Sequence, residues 1–195
     1  MKKLAGALLL SAASIAPAFA ADQGGYVAVD LGSATFSGAN FGGLSGTLPF
    51  PNPGTFQLGG GFRFDQNLGV EGGLVFVGDS TINSSGGLTE TLKTSAIYIA
   101  AVGTLPVSDQ FDLFGKLGLS STRVDYSSNF FPSATTSTGN LMFGLGGQFN
   151  INPNFGIRVQ YENFGKADFP SGTFLVGQTT SIGLSTFTVG GVFSF

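Results

Sequence analysis

The sequence predicts an all-β protein, an eight-stranded antiparallel up-and-down barrel that spans a membrane. Three observations support this prediction: a composition poor in charge, short polar turns that alternate with longer polar segments, and strands whose apolar residues recur at every second position. Only 10% of the 195 residues are charged, while the chain holds 32 Gly and 21 Phe. A soluble domain has about 25% charged residues for its wet surface, whereas a barrel that faces lipid needs an apolar exterior.

The first 20 residues have the pattern of a cleaved signal peptide. Lys2 and Lys3 precede an apolar stretch that ends at Pro17, and Ala18-Phe19-Ala20 places small residues where signal peptidase needs them. A retained membrane anchor is the alternative, but serines and Pro17 interrupt the run, which is shorter than the about 20 apolar residues of a spanning helix. We therefore expect a signal peptide at residues 1–20. We expect one barrel domain at residues 21–195, because no later stretch could form a membrane helix. Strands can cross lipid only as a closed barrel, which satisfies every backbone hydrogen bond.

Composition also excludes several classes of function. Eleven acidic residues outnumber eight basic ones, so a nucleic-acid partner is not expected. Cys and His are both absent, which removes disulfides, thiolate nucleophiles, Ser-His pairs and the common zinc ligand sets. We expect no enzyme activity, no catalytic residues, no metal and no cofactor.

Turns and loops alternate along the chain. Three short turns share one pattern, a polar start followed by an apolar residue that opens a strand, and they begin at Asp65, Ser108 and Asn152. Four longer segments rich in Gly, Ser, Thr or Asn separate these turns, at residues 37–54, 79–90, 127–138 and 165–181. Three turns and four loops connect eight strands. Short turns at one end and long loops at the other are typical of outer-membrane barrels.

The strands alternate between an apolar face and a small or polar face. In the seventh strand Phe155, Ile157 and Val159 alternate with Gly156 and Arg158. Because the side-chain period of a strand is two, each strand's face turns as one unit. We expect the lipid-facing set to include Leu113, Leu117, Phe143, Leu145, Ile157, Val159, Val189 and Phe193, and the inward set to include Lys116, Gln148, Arg158 and Thr188.

The fourth strand has an ambiguous register. If Lys93 points inward, Ile97 and Ile99 point inward with it. Either a bulge between Thr94 and Ala100 shifts the register, or the lumen is apolar at that level.

The last strand carries an independent signal. Phe195 and Phe193 lie on one face of an alternating run that ends the sequence. A terminal Phe that closes such a strand resembles the segment that the outer-membrane assembly machinery reads. The alternative is an ordinary edge strand, but an exposed edge this apolar would promote aggregation, whereas pairing it with the first strand closes the barrel.

The region from Ala100 to Asp125 is similar to the transmembrane domain of the OmpA family and of the related small opacity-type and OmpX-type barrels. The similarity lies in Ala100-Ala101-Val102-Gly103, Phe111-Asp112-Leu113 and Lys116-Leu117-Gly118, and it extends to Asn67–Glu71 and Ile157–Tyr161. It implies an outer-membrane barrel whose interior acids and bases form an ion-pair cluster. Glu71, Arg158 and Lys116 match that cluster by position, whereas Ala101, Gln148 and Gln160 stand where the family pattern has charged residues.

Seven charged residues are candidates for the lumen. They could line a small ion path, or they could pair across the lumen and close it, and we predict pairing because charges in a narrow low-dielectric space are costly alone. The candidates are Asp30, Arg63, Glu71, Lys93, Lys116, Arg158 and Glu162.

The loops are the remaining place for function. Apolar residues such as Phe41 and Phe50, and the segments Asn129–Pro132 and Asp168–Pro170, could form an adhesive rim or an aromatic girdle at the lipid headgroups. We predict an outer-membrane protein with a structural or surface-interaction role. Its expected partners are outer-membrane lipid and lipopolysaccharide, the assembly machinery and an extracellular ligand. The alternatives are a small porin-like barrel for ions or small solutes and a soluble secreted β-sandwich.

Overall fold

The computed structural model describes residues 23–37, 39–41, 44–46, 52–84, 88–129, 133–169 and 180–195. The expected signal peptide and several loop aromatics, including Phe50, Phe130 and Phe131, lie outside the described residues. Among the described residues, no helix is long and apolar enough to cross a membrane.

Eight long strands form a closed antiparallel barrel, which confirms the predicted fold class. The strands follow one another around the wall in chain order, and the last pairs with the first. A two-stranded hairpin, β2 (Ala39–Phe41) with β3 (Leu44–Gly46), lies outside the barrel sheet. The barrel strands are β1 (Gly24–Ser37), β4 (Gly54–Arg63), β5 (Leu68–Ser84), β6 (Leu88–Pro106), β7 (Phe111–Ser128), β8 (Ala134–Asn152), β9 (Phe155–Phe169) and β10 (Thr180–Ser194).

The three predicted turns share a side-chain cap. The Asp65 carboxylate accepts the backbone N–H groups of Asn67 and Leu68, both at 2.8 Å. Asn152 does the same for Asn154 and Phe155, at 3.0 and 2.9 Å, and a serine hydroxyl caps the middle turn. A short polar side chain that bonds its own backbone stabilises a tight turn. These turns mark the periplasmic end of the barrel, since long loops face outward.

The barrel exterior carries a continuous apolar belt. All eight residues expected to face lipid are exposed on the outer wall, and the four expected to face inward are buried. Aromatic side chains flank the belt, as headgroup-level girdles do. The girdle near the turns contains Phe64, Phe111, Phe149, Phe155, Phe193 and Phe195, and the girdle near the loops contains Phe56, Phe76, Tyr161 and Phe187.

The assignment of Lys93 to the lumen is wrong. Its side chain is 61% exposed on the outside of the barrel, 3.3 Å from the Asp79 carboxylate. Ile97 and Ile99 face outward on the same side of β6, whose pairing with β5 runs unbroken from Thr94 to Gly103. The premise of both alternatives fails, because the even-numbered residues of β6 from Leu92 to Val102 point inward; no bulge shifts this stretch, and the lumen at its level is apolar, as the second alternative expected. The register shift lies in β5, between Val77 and Ser80.

Lys93 can face outward because it lies above the apolar belt. Below it on the same face of β6, Ser95 separates it from Ile97, the first large apolar residue of the belt. The extended strands β6 and β7 pair up to Glu90 and Ser128, well beyond that level. A charged side chain there meets water and headgroups, so it carries no lipid desolvation cost.

Candidate functional site

Five charged side chains from four strands meet inside the barrel. Asp30 comes from β1, Glu71 from β5, Lys116 from β7, and Arg158 and Glu162 from β9. Each is buried, and each lies on the inward face of its strand by the period-two rule. We call these five residues, with the polar groups that bond to them, the lumen network.

Arg158 joins two acids on opposite sides of the network. Its Nε and Nη2 donate to the two carboxylate oxygens of Asp30, at 2.8 and 2.7 Å, which is the bidentate geometry that suits a guanidinium. Its Nη1 donates to Oε2 of Glu71 at 2.7 Å. Glu71 and Arg158 therefore meet in the lumen, and Arg158 ties β9 to both β1 and β5.

Glu71 is the centre of the network. Its Oε2 accepts the Tyr26 hydroxyl at 2.9 Å as well as Arg158, and its Oε1 accepts Lys116 at 2.7 Å and the Tyr98 hydroxyl. Four donors, two of them cationic, surround one buried carboxylate. Such saturation is what a buried charge requires, since each unmet lone pair in a low-dielectric space is costly.

Lys116 uses all three of its ammonium protons. It donates to Glu71 at 2.7 Å, to the Gln160 amide oxygen at 2.8 Å and to Glu162 at 2.9 Å. The Gln160 amide nitrogen in turn donates to Glu162 and to Gln57. The network holds three acids and two bases, and the neutral donors from Tyr26, Tyr98 and Gln160 supply the remaining hydrogen bonds.

An apolar layer closes the lumen on the loop side of the network. The rings of Tyr98 and Phe164 lie 5.8 Å apart between centroids, so the Tyr98 hydroxyl bonds the network while its ring belongs to the apolar layer. Leu92, Met142 and Leu184 are fully buried in this layer. An eight-stranded barrel is narrow enough for side chains to fill it, and here an ionic layer and an apolar layer do so in succession.

Below the network, a cavity of about 20 Å³ lies between the charges and the periplasmic mouth. That volume holds about one water molecule. Arg63 lines this cavity rather than joining the network: its guanidinium lies 5.6 Å from the ring centroid of Tyr26, and no ion pair to Arg63 occurs among the described residues. Of the seven lumen candidates, the structure thus brings five together, leaves Arg63 at the mouth and places Lys93 outside.

Sequence reasoning missed the neutral members of the network. Tyr26 and Gln160 lie an even number of positions from the charged residues of their own strands. The period of two alone could therefore have placed them on the inward face. Tyr98 was hidden by the ambiguous register of β6. Gln57, which donates to the Thr186 hydroxyl at 2.9 Å, lies six positions before Arg63 on β4, so the lumen assignment of Arg63 could have placed Gln57 on the same inward face.

The two terminal aromatics lie where β10 completes the barrel. Phe193 and Phe195 are exposed on the outer wall with ring centroids 6.4 Å apart. The Phe195 amide donates to the Gly25 carbonyl at 2.9 Å, so the C-terminal residue is bound to the first strand.

A closed eight-stranded barrel with an apolar outer belt, two aromatic girdles and a polar lumen defines a protein of the bacterial outer membrane. The family model described as outer membrane protein beta-barrel domain matches residues 5–195. The chain therefore belongs to this outer-membrane barrel family.

Two relatives indicate the neighbourhood within the family. Outer membrane protein P5 of Haemophilus influenzae is 27% identical over 187 residues, which cover 83% of this chain and 52% of P5. The attachment invasion locus protein of Yersinia pseudotuberculosis serotype I (strain IP32953) is 29% identical over 127 residues, 65% of this chain and 70% of that protein. The chain thus spans about half the length of P5.

Solved structures share the fold. Ail, the attachment invasion locus protein of Yersinia pestis, crystallised with the heparin analogue sucrose octasulfate, superposes with a TM-score of 0.57 at 23% identity and covers 88% of this chain and 99% of its own. Neisserial surface protein A superposes with a TM-score of 0.61 at 14% identity, over 88% and 97% of the two chains. The protein is an outer-membrane barrel, and its belt contacts membrane lipid.

Proposed function

We propose that this protein is a surface barrel whose lumen is closed and whose extracellular loops make its interactions. The observation that supports it is the filled cross-section, in which five buried charges pair beneath an apolar layer. Ions need a continuous polar path, and the apolar layer interrupts it. Binding then falls to the loops, which a rigid scaffold holds in place.

Planar-bilayer recording tests the closed lumen. The purified barrel should give no defined conductance steps above those of a protein-free membrane, over the voltage range that the bilayer tolerates. Regular open steps from the wild-type protein, abolished by a substitution in the apolar layer such as Ala96→Phe, would show that the lumen conducts and would overturn the proposal.

The loop sequences favour a ligand with apolar surface over a polyanion. The segment 37–54 has no charged residue and contains Phe41, Leu44 and Phe50, and Lys166 is the single basic residue of the four long loop segments. The exposed bases on the strands just below the loops, Lys93 and Arg123, are each paired with an acid, Asp79 and Asp125. A sulfated sugar needs clustered bases to neutralise it. We infer that the apolar loop residues make the contacts. Burying apolar surface stabilises a complex by about 25 cal/mol for each Å² removed from water.

Adhesion of whole cells separates these two chemistries. Cells that display the barrel should partition to hexadecane droplets more than cells without it, and a Phe41→Ser/Phe50→Ser variant displayed at the same level should lose that gain. Heparin-agarose should not retain the protein at physiological salt. Retention on heparin, with no change in the hexadecane partition, would refute the apolar-loop proposal.

We further infer that the protein is not an enzyme, because a chain without His and Cys lacks the usual nucleophile and base pairs.

Lipopolysaccharide is the proposed partner of the outer wall on the loop side. Phe193 and Phe195 are the proposed contacts for the assembly machinery. A Phe193→Ser/Phe195→Ser variant should accumulate in the periplasm, whereas Phe187→Ser on the same strand should still reach the outer membrane.

A further inference from the structure

Three links of the lumen network pass over a strand within a single register row, whereas the link from Lys116 to Glu71 passes obliquely over β6, between the rows of Ala100 and Val102. Each joins residues on strands that are second neighbours in the barrel wall, so a third strand lies between the two partners. Adjacent strands are about 4.8 Å apart, and the partners therefore bridge about twice that distance across the intervening backbone. An inward side chain on the middle strand, at the level of the crossing, would occupy the path of the link.

The link between Asp30 and Arg158 crosses β10. Asp30 is the register partner of Gly190, and Gly190 is the register partner of Arg158, so the three residues form one row across β1, β10 and β9. An ideal Cβ placed on Gly190 would overlap Oδ1 of Asp30, the atom that accepts Arg158 Nε. It would also overlap the Val29 carbonyl oxygen, so the two strands could not keep their spacing.

The link between Lys116 and Glu162 crosses β8 in the same way. Gly144 is the register partner of both residues, on β7 and on β9. A Cβ on Gly144 would lie 3.1 Å from Cγ of Glu162 and 3.5 Å from Cβ of Lys116. The methyl group would enter the space between the stems of the two side chains whose heads pair at 2.9 Å.

The link between Tyr26 and Glu71 crosses β4. Gly61 pairs with Tyr26 on one side and with Glu71 on the other. The Tyr26 ring lies over Gly61, and a Cβ there would overlap the ring and its hydroxyl. The hydroxyl could then not reach Oε2 of Glu71.

We infer that Gly61, Gly144 and Gly190 are positioning residues of the lumen network: each leaves out the side chain that would stand in the register row where a link passes over a strand. Two glycines on the outer wall, Gly103 and Gly115, have no such neighbours. A Cβ on Gly103 would meet nothing within 4 Å, and one on Gly115 would make only ordinary contact with Leu145. This inference concerns what sets the network's geometry and does not depend on the proposed surface role.

Gly144→Ala is the most informative variant, because its Cβ would press on side chains more than on backbone. Overpacking of about 1 to 3 kcal/mol should raise the unfolding equilibrium constant about 5- to 150-fold, measured in lipid vesicles by urea titration. Gly115→Ala and Gly103→Ala are matched controls on the outer wall. They should leave the constant unchanged or lower it, since glycine weakens a strand interior.

A double-mutant cycle separates positioning from simple crowding. In a Glu162→Ala background the closest contact of the new methyl group is gone, so Gly144→Ala should lose most of its effect. The Tyr161 carbonyl oxygen, 3.3 Å from the Cβ position, stays in both backgrounds and sets the part that remains. Equal effects of Gly144→Ala in both backgrounds would mean that the glycine serves the backbone alone, and would overturn the inference.

The Lys116 ammonium supplies a second readout that does not depend on stability. It is buried and donates to three acceptors, whereas Lys93 and Lys166 are exposed, so its ¹H–¹⁵N ammonium signal should be protected from rapid exchange. Gly144→Ala should shift or broaden that signal, and Gly115→Ala should not. An unchanged signal in folded Gly144→Ala protein would show that the ion pair tolerates a side chain at the crossing.

Discussion

Replacing Arg158 with Met should destabilise the folded barrel by about 3 to 5 kcal/mol, the cost of breaking a buried ion pair by removing one partner. Met fills similar space but removes three charge-assisted hydrogen bonds, two to Asp30 and one to Glu71. The destabilisation comes from the carboxylates that remain buried without the guanidinium.

Most of that cost should fall on Asp30. Among the described residues, Arg158 supplies both hydrogen bonds to its side chain, and the residue is completely buried. Glu71 keeps Lys116 and two tyrosine hydroxyls when Arg158 is lost. We therefore expect Arg158→Met/Asp30→Asn to be more stable than Arg158→Met alone, and Arg158→Met/Glu71→Gln to gain less from its second change.

Equilibrium unfolding in urea from lipid vesicles measures these differences. The chain has no Trp, so far-UV circular dichroism and heat-modifiable gel mobility are the suitable signals. Ile157→Met is the matched control, because it changes the neighbouring lipid-facing residue of β9 from one apolar side chain to another and should cost less than about 1.5 kcal/mol. A loss below about 1 kcal/mol for Arg158→Met, or additive losses with Asp30→Asn, would refute the pairing.

Three further predictions test the faces and ends of the barrel. Leu145→Arg, in the middle of the exposed belt, should cost about 2 to 4 kcal/mol, whereas Leu105→Arg at the turn-side edge should cost about 0 to 1 kcal/mol in the same vesicle assay; equal costs would contradict the assigned depth. Lys93→Met should change the free energy of unfolding by less than about 1 kcal/mol, since its ion pair with Asp79 is exposed. A loss of stability as large as that caused by Lys116→Met would show that Lys93 points into the lumen. The intact mass of the protein purified from the cell envelope should equal that of a chain that begins at Ala21. A mass that includes earlier residues would disprove the signal-peptide cleavage.

Within each strand, the sequence by itself determined which residues share a face. The alternation around Ile157 and Arg158 has strong contrast, so the period of two assigns lipid and lumen sides without knowledge of the neighbours. The caps at Asp65, Ser108 and Asn152 are equally local, because each side chain bonds its own backbone. Eight strands and their order around the barrel follow from three short turns and four long loops.

In β6 the two faces differ too little in hydrophobicity for the same reasoning. Between Lys93 and Ala100 one face mixes small residues with Tyr98 and the other mixes Lys93 with two isoleucines, so neither face is clearly polar or apolar. The lipid belt decided the outcome, because Ile97 and Ile99 lie in it and Lys93 lies above it. Depth in the membrane depends on how the barrel is tilted and staggered, which a single strand does not encode.

Which of the lumen candidates bond to one another was decided only by the tertiary structure. Asp30 reaches Arg158 because closure of β1 on β10 brings their rows into register, although the two residues are far apart in the sequence. The period of two shows that a side chain points into the lumen, but it does not give the height of that side chain along the barrel axis. Two side chains must lie at the same height to bond. That height is set by the stagger between strands, a property of the closed barrel as a whole.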